Sequence, residues 1–465
     1  MVALELAPFV RETDAADAVS SLAKALRQLG HNVSVALPRQ PGFDESGLLL
    51  ARRLTPLPLP DGGEVPVLDA QLPSGVQLTL FDAPVLFDRP SPWTEAGVEH
   101  ADNAKRFSLL AQAAAALIRQ RAQQGTAFDV VHLHDAAAAL VPLALGRIPG
   151  PSVPSVLTIH DALRQGSFDP GASEGLLPEL ASDASYRVDG RPNALRAGLV
   201  HADAVTTVSP TYAAELGEKL GGLSEGKALV GITSGIDYAV YNPATDSALP
   251  SRYDAEDVSH KGLCKAAVLR ELELPVEIER PMLVIGGPLT PERGSELLIA
   301  ALPSLLKTEL SVVVASELSP ALSKKLRALA SRRREDFALV ERPSASAERR
   351  LYAAADLALF APRHAPSGQP QLVAQRYGAL PVARAVGGVV DAVVDCDAAL
   401  GTGTGFLFDD ESEEALLGAV GRALAAYASP SWSRLRRRVM RLDVGWDRPA
   451  RRYLQIYRQV LGAGR

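Results

Sequence analysis

Cysteine, tryptophan, long apolar runs and excess positive charge are all scarce in this chain. Among 465 residues there are two cysteines, Cys264 and Cys396. They lie far apart and without metal-ligand spacing, which excludes a disulfide framework and predicts reduced thiols in a cytoplasmic protein. No apolar run reaches the ~20 residues a membrane-spanning helix needs, and no charged-then-apolar leader opens the chain, so neither membrane insertion nor secretion is expected. Lys and Arg number 48 against 54 Asp and Glu, a net charge of −6. The clustered cationic surface that finds nucleic acid or anionic lipid is therefore not expected. The one basic run, Arg434 with Arg436, Arg437, Arg438 and Arg441, reads as a solvated helix face. Aromatics make up 5% of the residues, with Trp93, Trp432 and Trp446 the three tryptophans. That leaves few stacking platforms for a surface carbohydrate-binding module.

What the chain does have is alternation. Strand-like apolar runs at 31–37, 76–81, 130–134 and 156–160 interleave with amphipathic helical stretches at 16–28, 103–119 and 193–200, the pattern of parallel sheets covered on both faces. A further short run at 205–208 ends the first series. A second series follows at 281–286, 310–315, 338–340, 357–360 and 380–384. The length exceeds what one hydrophobic core serves. The pattern predicts an α/β protein of two Rossmann-like domains, 1–245 and 279–445, facing each other across a cleft, with a linker region at 246–278. Ligands of such sheets sit beyond the carboxyl ends of the strands. His132 and His134, two apart on one strand, raise the question of a metal, but no third ligand stands at suitable spacing, so neither metal nor cofactor is predicted.

The most informative stretch is 360–395, FAPRHAPSGQPQLVAQRYGALPVARAVGGVVDAVVD. Arg363, Pro366, Gly368, Gln371, Leu372, Arg376, Tyr377, Gly378, Gly387, Gly388 and Asp391 follow a donor-site pattern in order. In this the chain resembles the bacterial glycogen synthases and plant starch synthases. Matches recur along the chain: Ala7-Pro8-Phe9, Gly30-His31, Leu37-Pro38-Arg39, Asp102-Asn103 with Arg106-Phe107, His134-Asp135, Thr158-Ile159-His160, Gly235-Ile236-Asp237, Leu289-Thr290 and Thr404-Gly405-Phe406. The resemblance implies GT-B architecture, with a last helix, 446–465, that crosses back to the first domain. It also implies retaining transfer of glucose from ADP-glucose to an α-1,4-glucan, so that the partners are a nucleotide sugar and an α-glucan. It places the start of the first strand several residues before Val2.

Carried over position by position, the resemblance implies His160 and Arg293 as catalytic groups. Arg11, Asp17, Gly294, Gly387, Gly388 and Asp391 would serve the donor, and Asp135 the acceptor. His160 also reads as an ordinary strand-end histidine, and the two glycines as a tight strand-to-helix turn. Several family positions are lost. Ala365 stands for the family's glutamate, Pro288 for an arginine that holds the diphosphate, Thr13 and Asp14 for two glycines, and Ala136 for a tryptophan. Thr13 or Asp14 makes a plausible cap for the helix that follows. Glucosyl transfer must stabilise a diphosphate leaving group while positive charge grows on the sugar, and each preorganised group is worth ~2.7–4 kcal/mol, or ~10²–10³ in rate. Two expectations follow. One is a glycogen synthase-like protein whose transfer is weakened or lost, a pseudoenzyme with a binding or regulatory role and a possible protein partner. The other is an active retaining glucosyltransferase that elongates α-1,4-glucan or uses a different nucleotide sugar.

Overall fold

The apolar runs become parallel strands, and they do so in two separate units of a computed structural model that describes residues 1–95, 98–169, 175, 177–220 and 227–463. Met1–Ser234 together with Trp446–Arg465 form the first unit, and Gly235–Gly445 the second.

The first unit holds β1 (Ser34–Pro38), β2 (Ala51–Arg52), β3 (Val67–Gln71), β4 (Gln77–Phe81), β5 (Val131–His134), β6 (Ser155–Ile159), β7 (Ala204–Thr207) and β8 (Leu229–Gly231). They order as β1-β4-β3-β2 and β8-β7-β6-β5. β1 runs parallel to β4, and β5 to β8 are parallel throughout, with β3 antiparallel to its neighbours β4 and β2. Among the described residues, the backbone hydrogen bonds that join the two halves are those of Met1–Ala3. The Val2 N–H donates to His132 O (2.8 Å) and His134 N–H to Val2 O (3.1 Å) on one side. On the other, Ala36 N–H donates to Met1 O (2.9 Å) and Ala3 N–H to Ala36 O (3.2 Å). Three residues thus satisfy the backbone groups that a full central strand would otherwise pair.

Helix α1 (Asp14–Gln28) starts at Thr13, whose hydroxyl accepts from the Ala15 N–H, so Thr13 rather than Asp14 is the cap. Its apolar face, with Val19, Leu22 and Leu26, shares one core cluster with Leu6, Val35 and Leu37 of the sheet side and with Ala450, Tyr453, Ile456 and Val460 of the C-terminal helix Asp447–Ala463. The alanine-rich α2 (Asn103–Gln123) lies in a second cluster with Leu133, Leu157 and Ile159.

The second unit is one six-stranded parallel sheet: β9 (Met282–Gly286), β10 (Ser311–Ser316), β11 (Phe337–Glu341), β12 (Leu357–Phe360), β13 (Leu380–Arg384) and β14 (Phe406–Phe408). The order is β11-β10-β9-β12-β13-β14. Chain direction across the sheet reverses between β9 and β12, which is where open α/β sheets bind their ligands.

Two readings of the sequence change here. Residues 246–278, taken as a linker, lie inside the second unit: Leu249, Tyr253, Cys264, Val268, Leu269 and Leu274 belong to its core. Prolines and charges hid widely spaced apolar anchors, and Lys261 is itself buried, its ammonium donating to the carbonyls of Tyr352, Ala353 and Tyr377. The basic run is likewise only partly a solvated face. Arg438 caps the carbonyls of Leu400, Gly401, Thr402 and Gly403, and Arg436 turns inward.

Arg436 meets a buried ion cluster. The Asp356 carboxylate, 4% exposed, accepts from Lys265 Nζ (2.7 Å), Arg436 Nη2 (2.6 Å) and the Met282 N–H (3.0 Å). Removing one member of such a cluster leaves two buried cations and a strand-end N–H uncompensated. Asp356→Ala is therefore expected to cost about 3–5 kcal/mol of folding free energy, read as a lower midpoint in urea denaturation at unchanged slope.

Candidate active site

In the first unit the candidate residues gather at the carboxyl ends of β5 and β6. The chain leaves β5 at His134 and turns sharply into α3 (Asp135–Ala138), with Asp135 in the left-handed region at φ +57°. That turn aims the carboxylate at the end of β6, where Asp135 Oδ1 accepts from the His160 N–H (2.6 Å) and the Asp161 N–H (3.3 Å). Burial pushes the Asp135 carboxyl up to about 8, against the pull of these two donors. Asp135 thus acts locally as a clamp on the strand end that carries His160. Ala136 is fully buried in the surrounding core.

His160 lies beside His134, with Nε2 of the former 3.0 Å from Nδ1 of the latter. The His134 ring lies against that of His132 in a tilted pair, with centroids 4.2 Å apart. His132 is held by Tyr457 Oη on Nδ1 (2.7 Å) and Thr158 Oγ1 on Nε2 (2.6 Å), so the C-terminal helix reaches the cluster. Burial lowers all three pKa values. It holds His132 and His134 well below the usual imidazole range and His160 at about 4, although the fields of Asp14 and Asp161 work the other way on His160. The three rings are neutral at pH 7.

The loop before α1 is gripped by Glu5. Its carboxylate accepts from the Glu12 N–H (2.6 Å), the Thr13 N–H (2.9 Å) and Thr13 Oγ1 (3.0 Å), and from the Trp93 indole. Arg11 and Asp17 are paired to each other at 2.6 Å. Glu12 pairs with Arg164 (3.0 Å), whose guanidinium lies over the Trp93 ring. Glu5, Glu12 and Arg164 were not singled out from the sequence. A charged residue inside the apolar opening LELAPF was the available signal for Glu5, because a carboxylate there must be buried and satisfied.

In the second unit the site is built on the loops after β9 and β12. Pro291–Arg293 forms a short 3-10 turn, and Gly294, at φ +74°, turns the chain into α4 (Ser295–Leu305). A Cβ on Gly294 would lie 1.8 Å from Ala361 O, so only glycine fits. The Glu292 carbonyl accepts from the N–H groups of Arg363 (2.8 Å) and His364 (3.1 Å), which ties the two loops together. Arg363 is held between Glu296 (2.6 Å) and Glu411. Two carboxylates thus occupy the one guanidinium that the donor-site pattern preserves on this loop.

Ala365 is 9% exposed, and its carbonyl accepts the Gly388 N–H (2.8 Å). A Cβ on Gly387 would lie 2.2 Å from that carbonyl. The glycine pair is therefore required by the close approach of the two loops, and the helix it opens, Gly388–Ala392 with Asp391, is one turn long. Tyr377 donates to Asp246 Oδ2 (2.6 Å), and Arg376 donates to Asn242 Oδ1 (2.9 Å) and lies over the Tyr238 ring. Both hold the fold.

The two units thus bring together His160, Asp135 and Asp14 in one place, and Arg293, Gly294, Ala365, Gly387 and Gly388 in another. Among the described residues no group of three His, Cys, Asp or Glu side chains is arranged to hold a metal ion, and no helix is long and apolar enough to cross a membrane.

Comparison with known proteins places this geometry. The sequence profile of the starch synthase catalytic domain matches residues 1–229. The chain is similar to the glycogen synthase of Ralstonia nicotianae, 39% identical over 98% of this chain and 87% of the relative. It is also similar to the glycogen synthase of Anaeromyxobacter sp., 37% identical over 99% and 98%. Among solved structures, the catalytic domain of starch synthase IV from Arabidopsis thaliana, bound to ADP and acarbose, is 26% identical with a TM-score of 0.86, covering 99% of this chain and 98% of that one. Sucrose-phosphate synthase from Thermosynechococcus elongatus, 17% identical with a TM-score of 0.64 over 99% and 98%, shares the GT-B fold.

The clamp carboxylate carries a pH signature. Because its folded pKa of about 8 lies above the ordinary carboxyl value of 3.8, the native chain keeps a proton that the unfolded chain has released. Its stability contribution is full below about pH 4 and is lost as pH rises through 8. Asn keeps the acceptor oxygen, tolerates positive φ and cannot ionise. Asp135→Asn is therefore expected to be more stable than the parent by roughly 1–3 kcal/mol at pH 8, with the gap closing toward pH 4. Urea melts across that range measure it, and the buried histidines, common to both proteins, cancel in the difference.

Proposed function

This chain belongs to the glycogen synthase and starch synthase family, and we propose that it transfers glucose, with retention, from a nucleotide sugar of the ADP-glucose type to an α-glucan, at a rate set low by its own site. Similarity to named glycogen synthases over nearly the whole chain carries the reading. The ADP and acarbose bound to the Arabidopsis catalytic domain support the two ligand classes.

The chemistry has two electrostatic demands. The diphosphate leaving group needs fixed donors and cations, and Arg293 is what this chain offers, since the N–H groups of Gly294 and Gly388 are already taken by the carbonyls of Pro291 and Ala365. The sugar needs groups that hold its hydroxyls and favour the positive charge that develops on the ring. His160 remains for the first purpose. Ala365 supplies nothing for the second, and Pro288 removes a forked cation from the phosphate side. With Glu292 neighbouring Arg293 in sequence, and Glu296 and Glu411 engaging Arg363, the balance around the donor loops is less positive than the family pattern implies.

A second reading is favoured by those same substitutions: transfer is lost and the protein binds nucleotide or glucan in a regulatory role, with a protein partner. Thr13 and Asp14 fill space that two glycines leave open, and Arg11 is committed to Asp17.

Purified protein incubated with labelled ADP-glucose and glycogen separates the two. The first reading expects incorporation ~10²–10³ below that of an ordinary synthase and a rise of the same order in Ala365→Glu. No incorporation by either protein, with heat still released on titrating ADP or maltooligosaccharide, would establish the second. Incorporation at the full rate of an ordinary synthase would show that the missing carboxylate is compensated elsewhere and would sink both the low-rate and the lost-transfer readings.

A further inference from the structure

His134 sits within the candidate site and has no assigned task. It is 3% exposed, its Nδ1 faces His160 Nε2 at 3.0 Å, and its Nε2 is buried with no hydrogen-bond partner among the described residues. A neutral imidazole carries one N–H and one bare lone pair, and which nitrogen holds the proton is set by its partners.

Only two arrangements of the pair are consistent with neutral rings. If His160 Nε2–H donated to His134 Nδ1, the proton of His134 would sit on Nε2, where it would be a buried N–H with nothing to receive it. If His134 Nδ1–H donates to His160 Nε2, the unpaired atom is a lone pair. Orphaned buried donors are rarer than under-used acceptors, and leaving one unmade costs the full desolvation of the group. The second arrangement is favoured, and the protonated state of His134, which would bury an unpaired charge, is worse than either. The neighbours agree. His132 is engaged on both nitrogens and meets the His134 ring only in a tilted ring contact, and Asp135 is turned to the backbone of residues 160 and 161, so among the described residues neither competes for the His134 proton.

We propose that His134 is a positioning residue: by donating Nδ1–H to His160 Nε2 it fixes His160 as the Nδ1–H tautomer, so that the His160 ring meets its ligand as a hydrogen-bond donor. In solution the other tautomer, Nε2–H, is the commoner form of histidine, so the pairing imposes a state that the free side chain does not favour. A donor of this kind suits a hydroxyl or phosphoryl oxygen. That it serves a sugar rests on the proposed glucosyl transfer; the tautomer itself does not.

The test is spectroscopic and needs no turnover. In ¹⁵N-labelled full chain, long-range ¹H–¹⁵N imidazole spectra distinguish the two nitrogens of each ring, and with eight histidines in the chain the His160 pattern is identified by its disappearance in His160→Gln. The expected result is a bare Nε2 and a protonated Nδ1 on His160. His134→Asn, whose amide N–H stands where Nδ1–H stood, preserves that pattern. His134→Phe, which keeps the ring volume and removes the donor, converts His160 to the Nε2–H tautomer. A His160 that is Nε2–H in the parent, or one whose tautomer is unchanged in His134→Phe, overturns the proposal. Should the Phe variant fail to fold, the parent spectrum and the Asn variant decide alone. Where transfer is measurable, His134→Phe lowers kcat roughly tenfold, the worth of one well-placed hydrogen bond, and His134→Asn recovers it. An inactive parent leaves the spectra fully interpretable, so failure of the functional reading and failure of this one are told apart.

Discussion

The first unit depends on a three-residue rung. Met1–Ala3 are hydrogen-bonded to Ser34 and Ala36 on one side and to His132 and His134 on the other, and among the described residues these bonds join its two half-sheets. In a parallel sheet buried on both faces every backbone donor and acceptor must be met, and these bonds do that at the centre. They also fix the height of β5 against β1, which sets where His134 and Asp135 emerge at the carboxyl end. The candidate residues of this unit are therefore placed by backbone bonds some distance from any of them.

The same economy appears in how polar groups are kept inside. Glu5, Asp135, Asp356, Lys261, His132, His134 and His160 are all buried, and each is hydrogen-bonded to backbone or to a neighbouring side chain. Such groups add little net stability, since desolvation offsets most of what their bonds return. What they do is fix geometry: Glu5 shapes the loop before α1, Asp135 the end of β6, and Asp356 the start of β9. Where the family pattern loses a charged group, as at Ala365 and Pro288, the surrounding backbone contacts persist. The Ala365 carbonyl still receives Gly388, and the Glu292 carbonyl still ties down residues 363 and 364. The backbone that frames these loops is thus held by contacts that do not depend on the side chain at residue 365 or 288.

Much of the fold was legible beforehand because its signals are local. Strands at 357–360 and 380–384 were read to the residue, and β1, β4, β5, β6 and β9 to within one to three residues, since buried β-branched and leucine runs bounded by turns have few other readings. The capped start of α1 was legible for the same reason. The place of 246–278 was not. Its prolines and charges resemble a linker, and only the carbonyl cage around Lys261 and the apolar anchors from Leu249 to Leu274 show it to be core.

The sequence by itself determined the family and the two α/β series, because motif order and hydrophobic period are written along the chain. Only the tertiary structure decided what the remaining groups do. It made Asp135 a backbone clamp with a raised pKa, paired Arg11 with Asp17, set Arg363 between two carboxylates and put His134 against His160. Those states depend on partners 6 to 67 positions away, brought close by sheet register and loop closure, and the charge, proton position and exposure of a side chain are properties of its neighbours as much as of its own chemistry.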